Sequence, residues 1–429
     1  MPDTLSRPRR IAIIGGGISG MGAAYHLAKH AQVTLYEAEP RLGGHACTIM
    51  AGKYGDQPVD IGFIVFNHAN YPHLTQLFAE LDVPIAKSAM TFGASINGGA
   101  VEYALRDLNG LFAQRRNIAR PAYYRMLRDI LRFNARAPEF LAHPEMTVGD
   151  MLAELGTGEW FRNYYLLPFS GAIWSTPTED ITSFPAAAMI RFFQNHNLLD
   201  YKGQHQWYTV KGGSKAYVTR LKRALNSRGV EICCGAAIDA VRRPGYGVEI
   251  KPKGADWIGY DEVVFATHAD DTLRLLADPS DEERGALGAV AYQPNTIILH
   301  SDTSLMPKRK AAWASWVYTE DAAKRSSRID LTYWMNSLQP IPDEDQLFVT
   351  LNTTRQLREE KIYHQTEFRH PVYDHGTLAA QAAIKAMNGA RHSWFCGAWM
   401  RNGFHEDGLA SGIEVANGIA KTISEAAPQ

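Results

Sequence analysis

Apolar positions along this chain fall into two kinds of pattern. Short, nearly continuous apolar runs, Ile11-Ala12-Ile13-Ile14, Val33-Thr34-Leu35-Tyr36 and Glu262-Val263-Val264-Phe265-Ala266, read as strands buried on both faces of a parallel sheet. Helical patterns accompany them: one opening at Met21-Gly22-Ala23-Ala24-Tyr25, one over 214–225 ahead of the strand Val230-Glu231-Ile232-Cys233-Cys234, and one over 408–424 after the apolar run Ser393-Trp394-Phe395-Cys396. Strand and helix therefore alternate in three separated segments, 1–90, 205–270 and 385–429, which predicts one discontinuous α/β domain. The intervening pieces, 91–204 and 271–384, are richer in aromatic residues and carry proline-broken helices and strands. They predict an inserted α+β substrate domain.

The turn after the first strand carries the strongest chemical signal. Gly15-Gly16-Gly17-Ile18-Ser19-Gly20 satisfies G-x-G-x-x-G through Gly15, Gly17 and Gly20, between a strand and a helix. The first glycine permits a tight turn, the second a close approach of a pyrophosphate to the backbone, the third a close helix on the strand. The N–H groups of Ile18, Ser19 and Gly20 and the positive end of that helix would then face the phosphates. Glu37 ends the second strand, 20 residues after Gly17, where a carboxylate accepts the ribose hydroxyls of an adenine dinucleotide.

Composition narrows the setting. The chain has 429 residues and a net charge of −1, which provides no global attraction to nucleic acid. Its four cysteines, Cys47, Cys233, Cys234 and Cys396, lack metal-type spacing, so no metal site is predicted. Cys233 and Cys234 would point to opposite faces of a strand and fill core, in keeping with a reducing cytoplasm. Arg7-Pro8-Arg9-Arg10 leads straight into the first strand, without the pattern of a signal peptide. Apolar runs stay short of the roughly 18 residues that span a bilayer, so any membrane contact would be peripheral, at the inner face.

Two further stretches resolve which dinucleotide is meant. Glu37-Ala38-Glu39-Pro40-Arg41-Leu42-Gly43-Gly44 resembles the extension that flavoproteins with two dinucleotide-binding domains carry after the ribose acid. The resemblance implies that Ala38, Arg41, Gly43 and Gly44 lie close to FAD; where the family often has another arginine, this chain has His45. Phe395-Cys396-Gly397-Ala398 and Gly403-Phe404-His405-Glu406-Asp407-Gly408-Leu409-Ala410-Ser411-Gly412 are similar to the C-terminal FAD loop and helix of flavin amine oxidases and phytoene-type desaturases. On that resemblance Gly397, Glu406, Gly408, Leu409 and Ser411 join the cofactor site. Lys211-Gly212-Gly213 before a helix matches a mid-chain feature of the same superfamily. The implied fold is a Rossmann-type, glutathione-reductase-like FAD-binding domain with an inserted substrate domain. The implied cofactor is non-covalent FAD, since no cysteine sits in the C-terminal loop.

The flavin would carry the redox chemistry, leaving few obligatory catalytic side chains. His405 and Glu406 are the candidates to take a proton, with helix capping or cofactor hydrogen bonding as the other reading of Glu406 and Asp407. Tyr333-Trp334-Met335-Asn336 and Trp313-Ala314-Ser315-Trp316 could frame an amine or simply pack a sheet. The stretch Tyr292-Gln293-Pro294-Asn295-Thr296-Ile297-Ile298-Leu299 lacks the lysine that many flavin amine oxidases place near the ring.

Residues 123–136 form an amphipathic helix in which Tyr123, Met126, Leu127, Ile130 and Leu131 are expected on one face and Arg125, Arg128, Arg132 and Arg136 on another. Eight arginines between 106 and 136 meet only Asp107 and Asp129 as acids, which suits either anionic headgroups or ordinary solvent. Pro307-Lys308-Arg309-Lys310 with Trp313 and Trp316 is a second candidate of this kind. Asp60-Ile61-Gly62-Phe63-Ile64-Val65-Phe66-Asn67 and 402–408 resemble a bacterial branch of the superfamily, similar to a flavin-dependent acyl desaturase of furan fatty acid synthesis. That resemblance implies dehydrogenation of a lipid-linked acyl chain, with Tyr164-Tyr165-Leu166-Leu167-Pro168-Phe169 and Phe192-Phe193 lining an oily path. An amine or amino-acid oxidase and a non-catalytic flavoprotein in a lipid-modifying complex remain the alternatives, and the reading leaves room for a homodimer.

Overall fold

Five short strands from three distant parts of the chain close into one parallel sheet. They are β1 (Arg10–Ile14), β2 (Gln32–Glu37), β3 (Glu231–Cys234), β4 (Glu262–Phe265) and β5 (Ser393–Phe395), in the spatial order β3-β2-β1-β4-β5. Every pairing is parallel, with Ile11 opposite Val33 on one side and Glu262 on the other. Ile11, Ala12 and Ile13 have no solvent exposure, as a strand covered on both faces requires. Cys233 packs into the core on one face with Ala12 and Tyr36, and Cys234 into the other with Ile11 and Leu35. This is a Rossmann-type order, and its binding edge is the one where the strands' carboxyl ends emerge. The computed structural model describes residues 7–174, 178, 180–199, 205–323 and 329–425, so 200–204 and 426–429, at the ends of two expected segments, lie outside the described residues.

Helices cover the sheet: α1 (Ile18–Leu27), α2 (Pro72–Glu80), α4 (Lys215–Ser227) and α5 (His405–Glu425), with α3 (Pro121–Arg136) in the other half of the molecule. α5 begins three residues before the expected start. Asp407 accepts N–H bonds from Asn402 (3.2 Å) and Phe404 (2.9 Å), which fixes the loop ahead of it.

The inserted half is a seven-stranded sheet, Ile362–Pro371, Tyr292–His300, Phe348–Leu351, Asp330–Trp334, Trp316–Thr319, Phe92–Ile96 and Val101–Ala104, backed by helices rich in aromatic residues. The strand carrying Tyr333 ends at Trp334, and Met335 opens a short helix, so the expected alternation of Tyr333 with Met335 stops one residue short. Tyr333 makes a cross-strand edge contact with Trp316, at 5.4 Å between centroids. A π-turn at Arg162–Leu166 runs into the helix Leu167–Trp174. Pro168 has no N–H to give the Tyr164 carbonyl four residues back. The hydroxyl of the fully buried Tyr103 donates to that carbonyl instead, at 2.5 Å.

Asp60 ties the two halves together. Its carboxylate, 1% exposed, accepts from the Ser214 N–H (2.8 and 2.9 Å), the Ser214 hydroxyl (2.7 Å), the Thr48 hydroxyl (2.6 Å) and the Gln339 amide (2.9 Å). Burial pushes its carboxyl up to about 6 against those bonds. It thereby caps α4 and holds the hairpin Thr48–Ala51/Gln57–Asp60 against residue 339 of the inserted half.

Candidate dinucleotide site

The glycine turn is shaped by what surrounds each missing side chain. Gly15 has φ +110°, and a Cβ there would stand 2.6 Å from the Ala266 carbonyl oxygen at the end of β4. A Cβ on Gly20 would run into the Gly15 carbonyl. At Gly17 nothing lies within 4 Å, so that face of the turn is open while the other two are filled by protein. Gly17 is the N-cap of α1 and no side chain caps it, which leaves first-turn N–H groups at Ile18, Ser19 and Gly20 free for an anion.

Glu37 closes the turn from β2. Its Oε2 accepts the Gly16 N–H (2.7 Å) and its Oε1 the Glu39 N–H (2.8 Å), with Ala38 exposed beside it. Each oxygen keeps acceptor capacity for a ribose hydroxyl. The following loop folds back onto the turn: the Gly43 N–H donates to the Gly16 carbonyl (2.9 Å), and a Cβ on Gly44 would stand 3.2 Å from Gly17 Cα. Arg41 curls over this loop and donates to the carbonyls of Gly44 (3.1 Å) and Ala46 (3.3 Å).

The far end of the chain meets the same place. α5 lies against α1 through small residues: a Cβ on Gly22 would stand 2.5 Å from Leu409 Cδ1, one on Gly408 2.8 Å from Ser19 Oγ, and one on Gly412 would strike the Ser19 carbonyl. Ser411 accepts the Gly397 N–H (2.9 Å) and donates to the Gly408 carbonyl (2.8 Å), pinning the end of β5 to the start of α5. Gly15, Gly17, Ile18, Ser19, Gly20, Gly43, Gly44, Gly397, Gly408, Leu409 and Ser411 are thus gathered around two adjoining helix N-termini.

The acids and the histidine that open α5 point to different tasks. Glu406, 6% exposed, accepts the His73 and Leu74 N–H groups (2.9 Å each) and so caps α2, a helix over 330 residues earlier in the chain. His405 stacks on Phe63 at 3.9 Å, and its Nε2 shares a 2.6 Å hydrogen bond with the hydroxyl of buried Tyr217. Burial pushes its imidazole down to about 3, so it is neutral at physiological pH. A histidine group absent from the sequence reading surrounds His45: His370 at 5.6 Å and His268 at 5.9 Å between ring centroids, with burial holding all three well below the usual range. His45 Nε2 is buried without a partner among the described residues, one residue from the Gly44 contact with the open face of Gly17.

The sequence profile of the family "flavin containing amine oxidoreductase" matches residues 18–420. The chain belongs to this family. Among curated proteins, the carotenoid phi-ring synthase of Chlorobaculum tepidum is 35% identical over 85 residues, 19% of this chain and 13% of that protein. The coproporphyrinogen III oxidase of Mycobacterium tuberculosis is 36% identical over 88 residues, 20% of this chain and 19% of that protein. These matched stretches span a fifth or less of the relatives' own length. Solved structures extend the likeness across the fold: cyclohexylamine oxidase from Brevibacterium oxydans at TM-score 0.69 and 16% identity, covering 97% of this chain and 100% of that one, and the fatty acid isomerase from P. acnes at TM-score 0.69 and 16% identity, covering 96% and 99%.

Membership in the flavin-containing amine oxidoreductases makes FAD the cofactor and oxidoreduction the reaction class, and the residues present fit it. The open face at Gly17, the uncapped N-terminus of α1, the carboxylate of Glu37 and the orphaned His45 nitrogen are what an adenine dinucleotide diphosphate would engage. Cys396, the cysteine nearest the α5 loop, is fully buried and pushed up to about 12, a packing thiol rather than an attachment point. On the strand Tyr292–His300, the buried Asn295 donates to His370 Nδ1 (3.0 Å) and accepts from Asn352 (2.7 Å), so a neutral amide network occupies this lysine-free stretch.

Proposed function

We propose that this protein uses FAD to dehydrogenate an apolar substrate, a lipid-linked fatty acyl chain. A continuous aromatic wall carries the reading. Phe133, Phe161, Tyr165, Phe169 and Phe193 pack ring on ring, Trp174 joins Phe193 to Phe192, and Phe192 stacks on Phe404 at 4.9 Å. Phe404 immediately precedes His405, so the wall runs from the core of the inserted half to the loop of the cofactor site. His196, which stacks on Phe192 at 3.9 Å, is pushed down to about 4 by burial and is neutral. These rings are packed core, so the reading rests on the apolar surroundings they give the loop at Phe404, which suit methylene groups, whereas an ammonium or an amino acid needs an opposite charge beside it. The shared outline accommodates both a fatty acid isomerase and amine oxidases, so the outline itself decides nothing between them.

Bound FAD supplies a hydride acceptor. In the reaction two C–H bonds on adjacent carbons break and a C=C bond forms, one hydrogen leaving as hydride and the other as a proton. His405 is the group assigned to the proton: it is neutral, so the ring nitrogen not engaged by the Tyr217 hydroxyl can accept it, and Tyr217 holds the imidazole in place. Glu406 serves by positioning, because both of its oxygens are taken by α2. His405→Asn should lower turnover by about a hundredfold or more with FAD still bound. The defining test is mass spectrometry of phospholipid after incubation with the holoenzyme and an electron acceptor. Loss of two hydrogens from an acyl chain supports the reading; unchanged lipid alongside peroxide formation from an amine panel overturns it.

A further inference from the structure

Of the large apolar side chains exposed at the surface of the described residues, five crowd into one short stretch: Leu105 (38% exposed), Leu108 (76%), Ile118 (52%), Tyr124 (46%) and Leu131 (56%). Leu131 had been expected on the buried face of α3. That face is instead Tyr123, Met126, Asp129 and Phe133, and Leu131 stands on the outer face with Tyr124 and Arg128. Arg125 and Arg132 flank this outer stripe at helical spacing, and Arg136 at the end of the helix is paired with Glu139 at 3.0 Å.

The second basic cluster lies against the first. A Cβ on Gly110 would stand 3.3 Å from the Ala311 carbonyl, and Arg106 donates to the Trp313 carbonyl at 3.4 Å. Lys308 and Lys310 are exposed there, Lys310 with its ammonium 5.7 Å from the Trp313 ring. Phe112 meets both Tyr123 and Tyr124, which joins the 105–112 segment to the start of α3.

The acids of the region are already committed. Asp107 caps the short helix after it and pairs with Arg106, and buried Asp129 accepts the Gly158 N–H (3.0 Å) and Arg128 (3.3 Å). Arg115 and Arg116 donate only to Asn109 and to the Ala100 carbonyl, and Arg125 and Arg132 have no partner among the described residues.

We propose that this face, residues 105–136 together with 308–313, docks on the surface of an anionic phospholipid bilayer. The chain as a whole carries a net charge of −1, so the cations gathered here leave the other faces neutral or acidic and give the molecule one orientation towards a negative plane. Cations alone would suit any polyanion. Leucine, isoleucine and tyrosine projecting between them suit a layer with an apolar interior just below its charges. No helix among the described residues is long and apolar enough to cross a membrane, so the attachment is to one leaflet. The docking stands apart from the reading of the reaction: a protein that oxidises amines could dock this way, and one that oxidises acyl chains could take them from solution.

The test is co-sedimentation of the FAD-loaded protein with vesicles of phosphatidylcholine, with and without phosphatidylglycerol. Binding should appear with the anionic lipid and weaken as salt is raised. Arg125→Glu combined with Arg132→Glu should lower the vesicle affinity at least about tenfold, given about 1 kcal/mol per basic side chain near such a surface. Leu108→Ser combined with Leu131→Ser, which removes apolar contact and no charge, should lower it several-fold. Both variants should keep their flavin absorbance and thermal midpoint. Failure of the folded protein to bind anionic vesicles, equal binding to pure phosphatidylcholine, or insensitivity to the leucine pair would each overturn the proposal. Heparin retention lost with the arginine pair while vesicle binding is unchanged would do the same.

Discussion

The dinucleotide half and the inserted half reach close packing by opposite routes. Around Gly15, Gly20 and Gly412 the chain removes side chains so that backbone meets backbone, and at Gly22 and Gly408 it does so to admit the Leu409 and Ser19 side chains. Around Phe133, Phe161, Phe193 and Trp174 it fills space with rings. The first route leaves no room to adjust, because a clash with a carbonyl can be relieved only by moving a strand or helix. The second responds in proportion to the volume changed. A diphosphate needs backbone N–H groups at fixed positions, whereas a hydrocarbon needs only shape and dryness, so each route matches the ligand expected on its side.

The contrast can be broken at Gly20. Gly20→Ala places a methyl group on the Gly15 carbonyl, and the expected outcome is little soluble protein and none that retains FAD; a yellow, folded variant would show that the turn yields. Phe193→Ala, in the ring cluster, should cost about 3–5 kcal/mol and lower the thermal midpoint while leaving FAD bound. Acid sharpens the comparison. His45, His268, His370 and His405 lie at about 4, 3, 3 and 3, below the 6.5 of the unfolded chain, so their contribution to stability is present above pH 6.5 and lost as pH falls. Asp60 and Asp407, raised to about 6, act the other way: their contribution is present at low pH and lost as pH rises through 6. The histidines outnumber them, and His196 and His300 at about 4 add to their side, so the apoprotein should lose stability on the order of several kcal/mol between pH 6.5 and 5, seen as a falling thermal midpoint. A midpoint that holds steady or rises would mean the imidazoles are solvated. The smallest effect on stability belongs to Gly17→Ala, whose methyl enters open space and should change folding by only a few tenths of a kcal/mol. FAD affinity should nevertheless fall more than about tenfold, because that space is where the pyrophosphate approaches. Alanine tolerated at Gly17 for both folding and FAD would place the cofactor elsewhere.

The two halves also differ in how far sequence alone discloses them. The glycine turn, Glu37 and the Gly43-Gly44 loop are local: strand, turn, helix and acid lie within thirty-odd residues and their spacing is set by backbone geometry. What the turn touches is not local. The contact of Gly22 with Leu409, the capping of α2 by Glu406, and the Asp60 bonds to Ser214 and Gln339 join positions far apart in the chain, and no short-range pattern announces them. His45 was visible as a departure from the family's arginine, but its neighbours His268 and His370 come from two other strands' ends. Helical periodicity located α3 and put Tyr123 and Met126 inside, yet it misassigned Leu131. Periodicity counts apolar residues, and an exposed leucine among arginines looks the same as a buried one until the helix is seated. The π-turn at Arg162–Leu166 was readable only after the fact, from Pro168 and the Tyr103 hydroxyl that answers it.

The account turns on one substrate class meeting one cofactor, and the flavin itself reports the meeting. With the purified holoenzyme under anaerobic conditions, the visible absorbance is followed as phospholipid extract or a panel of amines and amino acids is added. The account predicts bleaching by the lipid extract and none by the amines, and Phe404→Asp, which places a charge where the aromatic wall meets the site, should slow that bleaching. Bleaching by an amine with no response to lipid would contradict it.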